Sequence, residues 1–190
     1  MTKTLYLMRH GQTLFNKRHR IQGWCDAPLT DLGVYQAQVA GQYFKNAGIT
    51  FDAAYSSTSE RACDTLEIVT NGSLPYQRVK GLKEWNFGTF EGESEDLNPP
   101  LPYEDFFVTY GGESQDQVRE RMAATILQLM QETKGKSVLM VSHGGAMANF
   151  ARAWEDNWRL DNLGHMTNCG ILKFSFEADQ FYLEEAIGHD

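Results

Sequence analysis

Apolar positions are unevenly spaced along this chain, and their spacing predicts most of its elements. Leu5 to Met8 form a short, nearly continuous apolar run, as expected of a strand buried on both faces. After Thr30 the spacing changes: Leu32, Val39, Ala40, Tyr43 and Phe44 fall on one broad face of a helix that ends near Asn46-Ala47-Gly48. FDAAYSS (51–57) reads as a second strand, and residues 59–70 as a helix that stops at Asn71-Gly72, with Arg61 in its opening turn. A weaker third strand is expected within 76–82. Ser114 with Gln117 forms a capping box, followed by Val118, Met122, Thr125, Ile126, Leu129 and Met130 at helical spacing. SVLMVSH (137–143) is the clearest strand, and a helix follows from about Gly145 to Trp154. The final GILKFSFEADQFYLEEA predicts two strands joined by a turn around Glu177–Asp179.

Strand and helix alternate, so the expected fold is α/β: three layers, a mostly parallel sheet between helices, and an antiparallel hairpin at one edge. The segment 91–112 interrupts this alternation with three prolines, several acidic residues and two aromatic pairs, and with no lysine or arginine. It reads as an excursion from a single domain spanning 1–190, suited to covering a pocket. In such sheets ligands bind beyond the carboxyl ends of the strands. Arg9-His10-Gly11 and Ser142-His143-Gly144-Gly145 both fall there.

Composition narrows the partners. A formal net charge of −8 argues against a nucleic-acid or anionic-membrane binder. A local arginine cluster still acts on an anionic substrate, because charges are felt over about 8 Å. Cys25, Cys63 and Cys169 are scattered and odd in number, which fits packing residues in a reducing compartment rather than a disulfide framework or a zinc site. No apolar run is long enough to span a bilayer and no signal-peptide pattern opens the sequence, so a cytoplasmic location is expected.

The chemistry follows from residue type. A neutral imidazole with one nitrogen fixed by a hydrogen bond is a good nucleophile near pH 7. Gly11 beside His10 suggests close approach of backbone to a substrate. Gly144-Gly145 opens a helix whose amides favour a phosphate. Arg9 and Arg61 supply planar donors for phosphoryl oxygens. Together they describe phosphoryl transfer through phosphohistidine, with arginine rather than metal neutralising charge. Other phosphate chemistries fit poorly. A cysteine phosphatase needs an arginine six residues after its cysteine, where this chain has Asp31, Val69 and Ser175. GKS at 135–137 lacks the upstream glycine of a phosphate-binding loop and precedes a strand. No histidine-carboxylate set suggests a metal.

LMRHGQTLFN, SSTSERACDT, LKEWNFGTFEG and VLMVSHGG resemble, in order, the motif series of the histidine phosphatase superfamily, also called phosphoglycerate mutase-like. The resemblance implies the phosphoglycerate mutase-like fold, with His10 as phosphorylated nucleophile and Arg9, Arg61 and His143 around the phosphoryl group. It implies Glu84 as proton donor to the leaving group, with Asn16, Gln22 and Gly23 lining the phosphate end of the pocket and Gly144 beside it. It implies a small phosphorylated metabolite as substrate, and no cofactor or metal. Gln12 stands where a glutamate often follows the Arg-His-Gly. Arg18 and Arg20 are candidates to meet a second anionic group, or are simply solvated. Trp85, Phe87, Phe90, Tyr103, Phe106 and Phe107 are expected mainly to fill core, and His19, His165 and His189 to lie outside the site.

Within this resemblance the sequence points first to a phosphomonoester hydrolase. The alternative is a phosphoglycerate mutase, whose relatives are typically longer and carry an adjacent arginine pair for the substrate carboxylate. A non-catalytic phosphate sensor is a third possibility, opposed by the intact His10, Arg61, Glu84 and His143. On the hydrolase reading, the acidic 91–112 segment would repel a second anionic group.

Overall fold

A computed structural model describes residues 1–188. In chain order its elements are β1 (Lys3–Arg9), α1 (Leu14–Lys17), α2 (Asp31–Asn46), β2 (Ala53–Ser57), α3 (Glu60–Val69) and β3 (Gln77–Val79), then α4 (Gln115–Glu132), β4 (Ser137–Ser142), α5 (Gly144–Ala153), β5 (Ile171–Glu177) and β6 (Gln180–Ile187). The sheet order is β3-β2-β4-β1-β5-β6. The first four strands are mutually parallel, and β5 and β6 are antiparallel to their neighbours. This is the expected three-layer α/β fold with an antiparallel edge.

Strand alternation divides the core in two. Leu5, Leu7, Val138 and Met140 face Val118, Met122, Ile126 and Met130 of α4 and Met147 and Phe150 of α5. Tyr6, Met8, Leu139 and Val141 face Ala37, Ala40 and Phe44 of α2 and Ala62, Leu66 and Val69 of α3. Both faces of β1 and β4 are therefore covered, which is why their sequences are apolar without interruption.

Helix starts fall where local chemistry places them. Thr30 Oγ1 accepts from Gly33 N at 3.1 Å, and Ser114 and Gln117 satisfy each other's amides at 3.1 and 2.8 Å. The predicted strand over 76–82 is shorter than expected: three residues pair with β2, and 80–82 form a 3-10 turn. The four-residue helix α1 carries no apolar periodicity. Its start is a second reciprocal cap, Thr13 with Asn16. Residues 91–112 contain short 3-10 turns at 95–97 and 108–110 and pass over the carboxyl end of the sheet. His189 lies outside the described residues.

Candidate active site

β1 and β4 are adjacent and parallel, with Arg9 paired to Ser142, so His10 and His143 leave the sheet side by side. Their rings pack edge to face at 5.2 Å between centroids. His10 Nδ1 lies 2.7 Å from the carbonyl oxygen of Gly11. That acceptor fixes the proton on Nδ1 and leaves the Nε2 lone pair facing the Nε–H of Arg61 at 3.4 Å. His143 Nε2 meets Ser57 Oγ at 2.8 Å. Burial, reinforced by the charges of Arg61 and Arg9, pushes both imidazoles well below the usual histidine range. Both rings are accordingly neutral at physiological pH.

Arg61 is 1% exposed and held by one loop. Nη1 donates to the carbonyl of Cys25 at 2.9 Å and to Asp26 Oδ1 at 2.8 Å, and Nη2 donates to the carbonyl of Gly23 at 2.7 Å. Nε–H is directed at His10 Nε2, and one Nη2 hydrogen remains for a ligand. Arg9 Nη1 donates to the carbonyl of Met166 at 2.6 Å, and burial lowers the Arg9 pKa from its ordinary value. Two buried nitrogens, Arg9 Nε and His143 Nδ1, have no partner within the protein. Of these two residues Arg9 lines the cavity beside His10, so its guanidinium is the one placed to meet an oxyanion.

Glu84 has an unexpected partner. Oε1 accepts from the amides of Trp85 (2.8 Å) and Ala146 (2.7 Å), and Oε2 from Gly145 (3.0 Å). The amides of Gly145 and Ala146 in the first turn of α5 thus hold this carboxylate. A Cβ on Gly145 would come within 2.8 Å of Glu84 Oε1, so the glycine admits the carboxylate. Oε1 has two donors and Oε2 only one, which leaves Oε2 a position for a proton.

Gly11 is also reassigned. A Cβ there would stand 2.4 Å from the carbonyl oxygen of Gly33, and its amide donates to Thr65 Oγ1 at 3.0 Å. Its missing side chain lets the loop after β1 pack on α2 and does not serve a substrate.

One cavity of about 780 Å³ gathers the site residues: Arg9, His10, Asn16, Gln22, Gly23, Arg61, Glu84 and Gly144 all line it. His143 lies behind His10, fully buried. Asn16 Oδ1 is taken by the amide of Thr13 and Gln22 Oε1 by Thr13 Oγ1, leaving both side-chain NH₂ groups toward the cavity. Arg20 lines the wall, whereas Arg18 is exposed and does not. Trp85, Phe87 and Tyr103 are lining residues as well as cluster members, and Phe107 is wholly buried. His165, expected outside the site, also lines it. Cys25 is exposed, contrary to a packing role, while Cys63 and Cys169 are buried. Sequence reasoning missed Asp26 and Ser57, which hold Arg61 and His143, Thr65, which holds the amide of Gly11, and Asn149 and Arg152 of α5, which line the cavity. Asn149 and Arg152 carried one signal, their helical spacing from Gly145. Among the described residues no group of three His, Cys, Asp or Glu side chains is disposed to hold a metal ion.

The sequence profile of the histidine phosphatase superfamily (branch 1) matches residues 5–187. A 2,3-bisphosphoglycerate-dependent phosphoglycerate mutase from Parvibaculum lavamentivorans is 31% identical over an alignment covering 77% of each chain. Among solved structures, a phosphoglycerate mutase from Bacillus anthracis superposes with a TM-score of 0.84 at 28% identity, covering 97% of this chain and 92% of that one. A phosphoserine phosphatase from Entamoeba histolytica, solved with 3-phosphoglyceric acid, gives 0.79 at 28% identity, covering 99% and 98%.

Proposed function

Since the chain belongs to the histidine phosphatase superfamily (branch 1), we propose that His10 carries a phosphoryl group taken from a small phosphorylated metabolite. The observation that carries this reading is the His10 imidazole, held through Nδ1 with its Nε2 directed at Arg61. Nε2 attacks phosphorus and the bond to the ester oxygen breaks. Glu84 gives that oxygen a proton, and Arg61, Arg9 and His143 oppose the charge on the other phosphoryl oxygens. In the second half an acceptor hydroxyl attacks the phosphohistidine and returns its proton to Glu84. In the same reading the chain is one domain, with 91–112 as pocket cover and arginine doing the work of a metal.

The acceptor decides the reaction's name. The phosphoglycerate mutase reading leads, because two of the three objections to it lose their force. This chain spans 92% of a structure named as such a mutase, so length does not separate them. Nor do the acidic residues of 91–112 fill the cavity with negative charge. Glu91 accepts from the amides of Trp24 and Cys25, and although Glu95 is part of the lining as well as meeting His19, the lining holds four arginines against two glutamates. Hydrolysis is the second reading, favoured by the equally full match to a phosphoserine phosphatase and by the lack of any cation in 91–112. Supplying 3-phosphoglycerate with a 2,3-bisphosphoglycerate primer and following both products by ³¹P NMR separates them. We expect 2-phosphoglycerate to form faster than free phosphate, in the presence of chelator, and both activities to vanish in His10→Ala. Phosphate release without isomerisation assigns hydrolysis, and turnover by His10→Ala overturns the phosphohistidine.

A further inference from the structure

Glu84 sits on neither a helix nor a strand. It follows the 3-10 turn Lys80–Leu82, so no regular ladder of hydrogen bonds fixes its backbone. Side chains do so instead. The carbonyl of Gly81 accepts from Arg121 Nη1 at 2.8 Å, and that of Leu82 from Ser142 Oγ at 2.8 Å. The carbonyl of Lys83 accepts from Arg121 Nη1 at 2.9 Å. That of Glu84 accepts from Arg121 Nη2 at 3.1 Å and from Trp24 Nε1 at 2.8 Å. Three of these four successive carbonyls are thus held by one guanidinium, which projects from α4.

That guanidinium has no donor left over. Nε donates to Glu113 Oε1 at 2.8 Å and Nη2 to Glu113 Oε2 at 2.9 Å, so with the three carbonyls all five N–H donors are used. Glu113 extends the grip: Oε2 also accepts from the amide of Asn86 at 2.9 Å, and its carbonyl from Trp85 Nε1 at 2.8 Å. The chain on both sides of Glu84 is therefore tied to one partly buried, bidentate ion pair. Such a pair holds its geometry far better than an exposed one. One turn further along α4, Thr125 lies against the same segment: a Cβ on Gly81 would stand 2.1 Å from its Oγ1. Neither Arg121 nor Glu113 lines the cavity.

We infer that Arg121, held by Glu113, is the positioning residue for Glu84: it sets where the carboxyl stands against the substrate without touching the substrate. From this backbone position the Glu84 carboxylate reaches the amides of Gly145 and Ala146. A displacement of about 1 Å in a group that must meet the leaving oxygen costs up to about a hundredfold in rate. The inference rests on the phosphotransfer reading for the step that Glu84 serves.

The test compares how fast two donors, 2,3-bisphosphoglycerate and 4-nitrophenyl phosphate, phosphorylate His10 in rapid-quench single turnovers. The first leaves as an alkoxide that needs a proton, the second as a stable phenolate. Arg121→Met should slow the first by about tenfold to a hundredfold and the second far less. Arg121→Lys should recover part of the loss, because an ammonium reaches some of the carbonyls but cannot span them all. In a Glu84→Gln background, adding Arg121→Met should change the first rate by no more than about twofold. Two results would overturn the inference. One is that Arg121→Met slows both donors equally while Glu84→Gln discriminates between them. The other is the same loss with and without the Glu84 carboxyl. Melting scans accompany each variant; if Arg121→Met does not fold, Arg121→Lys and Glu113→Gln carry the same comparison, with smaller effects in the same direction. If Glu84→Gln itself slows both donors equally, the proton-donor role is what fails, and the double variant alone decides whether Arg121 acts through Glu84.

Discussion

At the scale of the residue, the site is a study in what burial does to an imidazole. His10 and His143 are each at most 3% exposed, beside the buried Arg61 and the half-buried Arg9, so both are held neutral. In the unfolded chain each titrates near pH 6.5. Between that value and their depressed native ones the unfolded state binds more protons, and stability falls as pH falls. Above about pH 7 both contributions are fully present. Unfolding free energies from urea titrations should therefore stay level from pH 8 to 7 and decline below 6.5, by up to about 1.4 kcal/mol per pH unit for each histidine. His10→Ala should remove about half of that slope. An unfolding free energy that does not change between pH 7 and 5 would mean the rings are not neutral by burial.

At the scale of the element, the loop 23–26 does for α3 what α3 cannot do for itself. Ser59 is the N-cap but its side chain makes no capping bond. Asp26 replaces it: Oδ2 accepts from Glu60 N at 2.6 Å while Oδ1 takes Arg61 Nη1. One carboxylate thus caps the helix and aims the arginine. Asp26→Ala should cost about 1 kcal/mol as a lost cap and up to about 10²-fold in kcat/KM as a misaimed Arg61. Asp26→Asn, which keeps an acceptor oxygen, should retain more of both. Equal activity in Asp26→Ala and the unaltered protein would show that Arg61 needs no such guide. The sequence announced Arg61 through its motif but could not announce Asp26, 35 residues away, because that bond exists only after the chain has folded. The same limit explains Gly11. Its sequence neighbour His10 suggested a substrate, whereas Gly33, brought close by α2, is what leaves no room for a Cβ.

Across the whole molecule, the layers were legible because buried parallel strands and capped helices have short-range signatures, as SVLMVS and Ser114 with Gln117 illustrate. The cavity was not, because its walls come from β1, α3, α5 and the 91–112 excursion together. A net charge of −8 gave no hint of a pocket lined by four arginines. The arginines gathered around His10 turn that pocket into a thermometer. Whatever anion satisfies them binds the folded chain and not the unfolded one, so occupancy must raise the melting temperature. At a hundred times its dissociation constant a ligand adds about 2.7 kcal/mol, enough for roughly 5–10 °C in a chain of this size. A melting screen of phosphate esters with vanadate as reference should rank candidate substrates before any of them is turned over, and 3-phosphoglycerate should outrank glycerol 3-phosphate. If no ester and no vanadate moves the transition, those arginines do not form an anion site.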